Sequence, residues 1–174
     1  MITLIIGTVS SGKSALAEDL AQESGGTLYY LATMKVCDEE GRKRVLRHRK
    51  AREGKGFHSI ERQLRIADAI TDFKRPGEAT VLLECIANLV ANEMHDNPER
   101  NRETLAEEIA GEVVLLAAAV RHLIVVTNEY EPDGEGYDDS TREYVSELAG
   151  VNALLVKKAD RIIDVRKSTE EVRQ

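Results

Sequence analysis

The stretch GTVSSGKS, residues 7–14, leaves a chain of this kind few folds to choose from. It follows ITLII, residues 2–6, a short apolar, β-branched run that reads as a buried strand, and it leads into SALAEDLAQESG, which reads as a helix closed by glycines. Between a strand and a helix, the pattern G-x-x-x-x-G-K-[ST] has a physical meaning. Gly7 and Gly12 permit backbone geometry that turns successive N–H groups toward phosphate oxygens, and the helix N-terminus adds partial positive charge. Thr8, Val9, Ser10 and Ser11 complete the cradle, Lys13 reaches the β and γ phosphates, and Ser14 is placed to ligate Mg2+. The expectation is a nucleotide-binding loop.

Periodicity along the chain predicts further strands near residues 27–32, 79–83, 123–127 and 161–165. Helices are predicted near 13–24, 38–53, 61–73, 86–95, 101–121 and 140–158. Strands alternating with helices specify an α/β fold, here a three-layer P-loop NTPase with a mostly parallel central sheet of RecA-like kind. At 174 residues, with no linker, repeat or low-complexity tract, the chain reads as one domain spanning 1–174. It has no Trp and only 4% aromatic residues, so its core must be mainly aliphatic, as suits a parallel sheet covered by helices.

Ligands gather at the C-terminal ends of the strands in such sheets. The run ATVLLE ends in Glu84, where a P-loop protein places the carboxylate that orients Mg2+ or its waters. A helix N-terminal Glu interacting with the helix dipole is the plainer account of the same residue. The run LIVVT leads to Thr127, Asn128 and Glu129, polar groups suited to contacting a substrate.

The formal charge of −7 argues against general nucleic-acid binding, yet residues 42–55 contain eight Lys or Arg and one acid, Glu53. A concentrated positive island on an acidic protein suits a polyphosphate ligand. If RKRVLRHRKAR, residues 42–52, is helical, then Arg44, His48 and Arg52 form a single stripe at i, i+4 and i+8. A neutral imidazole there is a nucleophile, and the flanking guanidinium groups could bind the phosphates of whatever it attacks. Charge and spacing alone favour a solvated helix or loop with an incidental histidine. His58, His95 and His122 have no motif partners and read as surface or helix-end residues. Cys37 and Cys85, far apart in sequence, read as reduced thiols, and the absence of a signal region or membrane-length apolar stretch predicts a cytoplasmic protein.

In order, GxxxxGKS, YLAT (30–33), RVLRHRKAR (44–52), FHSIE (57–61), LLECIANLVANEM (82–94), VTNE (126–129) and N-x6-AD (152–160) resemble the adenosylcobinamide kinase/adenosylcobinamide-phosphate guanylyltransferase family of cobalamin biosynthesis. The resemblance covers almost the whole chain. It implies a bifunctional enzyme that phosphorylates adenosylcobinamide with a nucleoside triphosphate, then transfers GMP from GTP through a guanylylated histidine to give adenosylcobinamide-GDP. The family's R-[IV]-x-x-H-x-x-x-R pattern falls on Arg44, Val45, His48 and Arg52, which makes His48 the covalent nucleophile and the arginines partners of the triphosphate. Glu84 corresponds to the family's acid, and Glu61 to the acid of a W-x-T-x-E-like element that binds guanosine. The implied substrates are GTP, ATP or both, together with a corrinoid, the implied metal is Mg2+, and the implied assembly is a homo-oligomer of trimeric kind.

Three departures set this chain on a divergent branch. Ser10 stands where the family's loop carries Arg, YEPDGEGYDDS replaces a V-G-x-G-I-V-P-like loop after Glu129, and RKSTEEVRQ replaces a C-terminal G-I-P-x-x-[IL]-K. Two other readings of the residues stand beside this one: a P-loop kinase for another small hydroxyl acceptor, with the basic segment as a lid, and a nucleotide-dependent regulatory module.

Overall fold

Six short strands, four of them aliphatic and two at the edges more polar, pair side by side in the computed structural model, which describes residues 1–97, 101–131 and 134–165, and of Arg44 and Arg102 only the backbone. They are β1 (Ile2–Gly7), β2 (Thr27–Ala32), β3 (His58–Glu61), β4 (Ala79–Glu84), β5 (His122–Asn128) and β6 (Arg161–Asp164). All pairings are parallel, and the order across the sheet is β3-β2-β4-β5-β1-β6. Every residue of β1 is buried, as are the first five of β4 and the first six of β5. Because successive side chains point to opposite faces, such strands must be covered on both sides.

The helices supply that cover. They are α1 (Lys13–Ser24), α2 (Glu39–Arg52), α3 (Ile86–Asp96), α4 (Leu105–Ala119) and α5 (Asp139–Lys158). Helix α1 lies against β1, β4 and β5, while α3, α4 and α5 pack on one another and on β5 and β1. The core is aliphatic, with Leu4, Leu31, Leu82, Leu83, Ile86 and Leu123 among its fully buried side chains. The three-layer, parallel P-loop architecture expected from the alternating pattern is the one observed.

Two local expectations need correction. Residues 58–61 form the edge strand β3 rather than a connection, and the helix expected over 61–73 is instead the end of that strand, a bent connection and a 3-10 helix, Ile66–Asp72. Arg65 adopts a left-handed conformation, φ 50°, which an α-helix cannot accommodate, and the buried Ile66 and Ala69 then follow the three-residue repeat of the tighter helix. His122 is also not a surface residue. It is 7% exposed at the start of β5, where its ring pairs with the Thr3 and Ser24 hydroxyls at 2.8 Å each. His58 is exposed on β3, and His95 is exposed in the last turn of α3.

Helix α2 stands out because its sequence gives it little to bury. It is capped by Asp38, whose Oδ1 accepts the Gly41 N–H at 2.6 Å, and it carries Glu39 and Glu40 in its first turn and Arg49, Lys50 and Arg52 in its last. That charge order complements the helix dipole. Val45, Leu46 and Ala51 are its only apolar side chains, and Leu46 is 57% exposed.

Candidate active site

The strand register aligns the ends of four strands into one row. Glu61 on β3 pairs with Ala32 on β2, Ala32 with Glu84 on β4, and Glu84 with Val126 on β5. Residues paired in register point to the same side of the sheet, so Glu61 and Glu84 face one space two strands apart. Above that row, between the phosphate loop and α2, lies a cleft of about 660 Å3 that Lys13, Ser14, Glu84, His48, Arg49 and Glu61 all line.

The two glycines of the loop are required for different reasons. Gly12 holds φ 87°, a left-handed conformation that other residues adopt only with strain. Gly7 is required by space, since a Cβ there would lie 2.5 Å from Val165 Cγ2 and 2.7 Å from Ser11 Oγ. Ser10 also adopts a positive φ, 63°, although it is not glycine. Lys13 is 6% exposed, and its ammonium donates to the Thr8 carbonyl and, at 3.4 Å, to Ser11 Oγ. Burial lowers its pKa from the ordinary lysine value, opposed by Cys85 and Glu84 beside it.

Although β5 separates β1 from β4, the start of α1 and the end of β4 converge. The Ser14 hydroxyl donates to Glu84 Oε1, and the Tyr30 hydroxyl donates to Glu84 Oε2 at 3.2 Å. Carboxylate and hydroxyl oxygens in this arrangement are the hard donors that Mg2+ takes. Among the described residues no cluster of three His, Cys, Asp or Glu side chains could hold a metal. Behind Glu84, Thr33 closes the turn into α3: its Oγ1 donates to the Cys85 carbonyl and accepts the Cys85 N–H, both at 2.8 Å. Burial pushes the Cys85 thiol up to about 11, so at neutral pH it is a packed S–H group.

On the other wall, α2 presents half-buried His48 to the cleft. Arg49 Nη2 donates to Glu61 Oε1 at the rim. Arg52, at the end of the helix, turns inward: it is 8% exposed, and its guanidinium carbon sits 3.4 Å from the centroid of the Tyr30 ring. The structure thus places Lys13, Ser14, Glu84, His48, Arg52 and Glu61 around one space, with Thr8, Val9, Ser10 and Ser11 forming the loop at its edge. The Arg44 side chain and the C-terminal RKSTEEVRQ lie outside the described residues, as do Pro132 and Asp133 of the acidic loop.

Sequence reasoning missed Tyr30 as a site residue. The available signal was its position two residues before Ala32 on β2, which puts it on the same face as Ala32 and Glu84. It also missed the buried pairing of Thr127 Oγ1 with Asn152 Oδ1 at 2.7 Å, which seats α5 on the end of β5 beside Asn128.

Comparison with known proteins agrees with this geometry. A family model described as cobinamide kinase / cobinamide phosphate guanyltransferase matches residues 3–168. The chain is 30% identical over 169 residues to the bifunctional adenosylcobalamin biosynthesis protein CobP of Pseudomonas aeruginosa, covering 93% of this chain and 91% of that protein. It is also 30% identical over 175 residues to the bifunctional adenosylcobalamin biosynthesis protein CobU of Escherichia coli K12, covering 93% of each. The match spans the phosphate loop, the Glu84 strand and the His48 helix alike, and the chain belongs to the cobinamide kinase / cobinamide phosphate guanyltransferase family.

Proposed function

We propose that this one cleft carries out two successive transfers on a corrinoid: phosphorylation of the aminopropanol hydroxyl of adenosylcobinamide by a nucleoside triphosphate, then transfer of GMP from GTP to the new phosphate. The observation that carries the reading is the facing of two unlike walls, Lys13 and Ser14 after the phosphate loop with Glu84 at the end of β4 on one side and His48 on the other.

In the first transfer the acceptor hydroxyl attacks the γ phosphorus, the bond to the β–γ bridging oxygen breaks, and nucleoside diphosphate leaves. The loop's contribution is position and charge. Lys13 exchanges the Thr8 carbonyl for phosphate oxygens, and the N–H groups of residues 8–14 hold the β and γ phosphates. Ser14 and Glu84 would hold Mg2+, which when bound neutralises charge on the phosphate oxygens.

In the second transfer a ring nitrogen of His48 attacks the α phosphorus of GTP, a P–N bond forms and pyrophosphate leaves. The phosphate of the phosphorylated corrinoid then attacks the same phosphorus, the P–N bond breaks and the imidazole is restored. Arg44 and Arg52 serve the triphosphate, and Glu61 accepts hydrogen bonds from the guanosine. The enzyme works as a cytoplasmic, single-domain homo-oligomer on small molecules; no helix among the described residues is long and apolar enough to cross a membrane.

Intact-mass measurement after incubation with GTP and Mg2+ alone tests the reading. The expected result is one added GMP per chain with release of pyrophosphate, a label stable in alkali and lost in acid, and no label in His48→Asn. Labelling that persists in His48→Asn would move the nucleophile elsewhere, and no labelling of the wild type would favour a kinase with a basic lid.

A further inference from the structure

We infer that Tyr30 is a positioning residue that couples the helix bearing His48 to the Glu84 carboxylate at the end of β4, its ring seating the end of α2 and its hydroxyl orienting Glu84. The inference rests on the proposed reading of the cleft, and α2 is otherwise weakly held.

Among the described residues α2 makes no extensive packing with another element, as its few apolar side chains would lead one to expect, and it meets its surroundings through side chains such as Arg49, paired with Glu61 at the exposed rim, and Arg52. A helix without a buried apolar stripe must be seated by something else. At its C-terminal end that is Arg52, one turn beyond His48. One side of the Arg52 guanidinium lies on the Tyr30 ring at 3.4 Å from the centroid. Its Nη1 is 3.9 Å from Glu18 Oε1 on α1, and Lys55 Nζ meets Glu18 Oε2 at 2.5 Å. Arg52 Nε and Nη1 are buried without hydrogen-bond partners. Arg52 is therefore kept in place by a ring face and a nearby carboxylate, not by directed hydrogen bonds, and the ring face is the part that a substitution can remove cleanly.

The same phenol is fixed on its other edges. Phe57, leading into β3, meets its ring edge-on at 6.5 Å, and its hydroxyl donates to Glu84 Oε2 at 3.2 Å while Ser14 donates to Oε1. Burial first, then the Glu84 charge, drives the Tyr30 pKa far above the ordinary phenol value, so the hydroxyl stays a donor. A carboxylate with one oxygen held by Tyr30 keeps the other turned toward Ser14, where the metal-bound phosphates belong.

The two roles separate chemically. Tyr30→Phe keeps the ring under Arg52 and removes only the hydroxyl; Tyr30→Leu removes both. Two measurements that need no turnover read them: amide hydrogen exchange over residues 44–53, and the gain in ATP affinity on adding Mg2+, titrated without corrinoid. In Tyr30→Phe the Mg2+-dependent gain should shrink about tenfold, the scale of a hydrogen bond to a charged group, with exchange in α2 unchanged. In Tyr30→Leu the gain should shrink equally, exchange should rise about fivefold or more, and GMP labelling of His48 should be slower than in Tyr30→Phe. Arg52→Met, which keeps the aliphatic stem, should raise α2 exchange as Tyr30→Leu does, and guards against a folding defect specific to the Leu variant. Unchanged exchange in both Tyr30→Leu and Arg52→Met would overturn the seating role, and an unchanged Mg2+ gain in Tyr30→Phe would overturn the orienting role. If wild-type protein took up no GMP while these two measurements came out as stated, the coupling would stand and the proposed second transfer would fall.

Discussion

Lys13 and Glu84 line the same cleft with opposite charges, and their substitutions should fail in different ways. Lys13 is almost fully buried, and its amine reaches back over its own loop to the Thr8 carbonyl, so it occupies the position a phosphate oxygen would contest. Lys13→Ala removes the charge and leaves the N–H cradle, so kinase turnover should drop by about two orders of magnitude or more while the melting temperature changes little. Steady-state assays beside a thermal melt check this, and unimpaired turnover would remove the loop from the chemistry. Glu84→Gln keeps the size and one acceptor oxygen but puts an NH2 donor in place of the other, so one of the Ser14 and Tyr30 hydroxyls must turn to accept, and the charge is lost. The Mg2+ concentration for half-maximal activity should rise roughly tenfold. A variant that lost stability but kept its normal Mg2+ requirement would leave Glu84 a helix-end residue and nothing more. That these two residues belong together was readable in the sequence from their places after apolar runs. That Tyr30 holds the second Glu84 oxygen was not, because the contact joins residues 54 positions apart and depends on the register of β2 with β4.

At the scale of elements, the loop between β1 and α1 and the segment around β3 show where sequence is informative and where it is not. The strands expected at 27–32, 79–83 and 123–127 appear at Thr27–Ala32, Ala79–Glu84 and His122–Asn128, because a parallel sheet buried on both faces demands unbroken apolar runs. The edge strand His58–Glu61 has no such run; three of its four residues are exposed, and what makes it a strand is its pairing with β2. Ile66 and Ala69 looked like part of an α-helical face because three-residue spacing serves both helix types. Gly12 offers an element-scale test. A Cβ there meets nothing within 4 Å, so Gly12→Ala should cost only the backbone strain of φ 87°, about 1–2 kcal/mol. Relief of that strain should pull the loop out of shape, so nucleotide affinity should fall by more than stability does. Equal affinity for nucleotide in the variant and the wild type would show that the left-handed turn is not what shapes the cradle.

At the scale of the whole molecule the sheet is polar at both ends, and only one end is the cleft. At the other, His122 opens β5 and joins Thr3 of β1 and Ser24 of α1 through its two ring nitrogens. Burial lowers its pKa below the ordinary 6.5, aided by the N-terminus, Arg121 and Arg161 and opposed by Asp160. A histidine held neutral in the folded chain binds a proton more readily once unfolded, so its contribution to stability is present above about pH 6.5 and is lost as pH falls toward and through the folded value. Protonation would also give both ring nitrogens a hydrogen, so the ring could no longer accept from either Thr3 or Ser24. Melting temperatures taken between pH 7.5 and 5.5 should therefore decline for the wild type. In His122→Gln, which keeps one amide donor and one acceptor but cannot titrate, the decline should be shallower from a lower starting value. Equal slopes in the two proteins would assign the acid sensitivity to the carboxylates. Because β5 separates this ring from Asn128 at the cleft by the length of the sheet, His122→Gln and the wild type should show the same Mg2+-dependent gain in nucleotide affinity at each pH at which both stay folded.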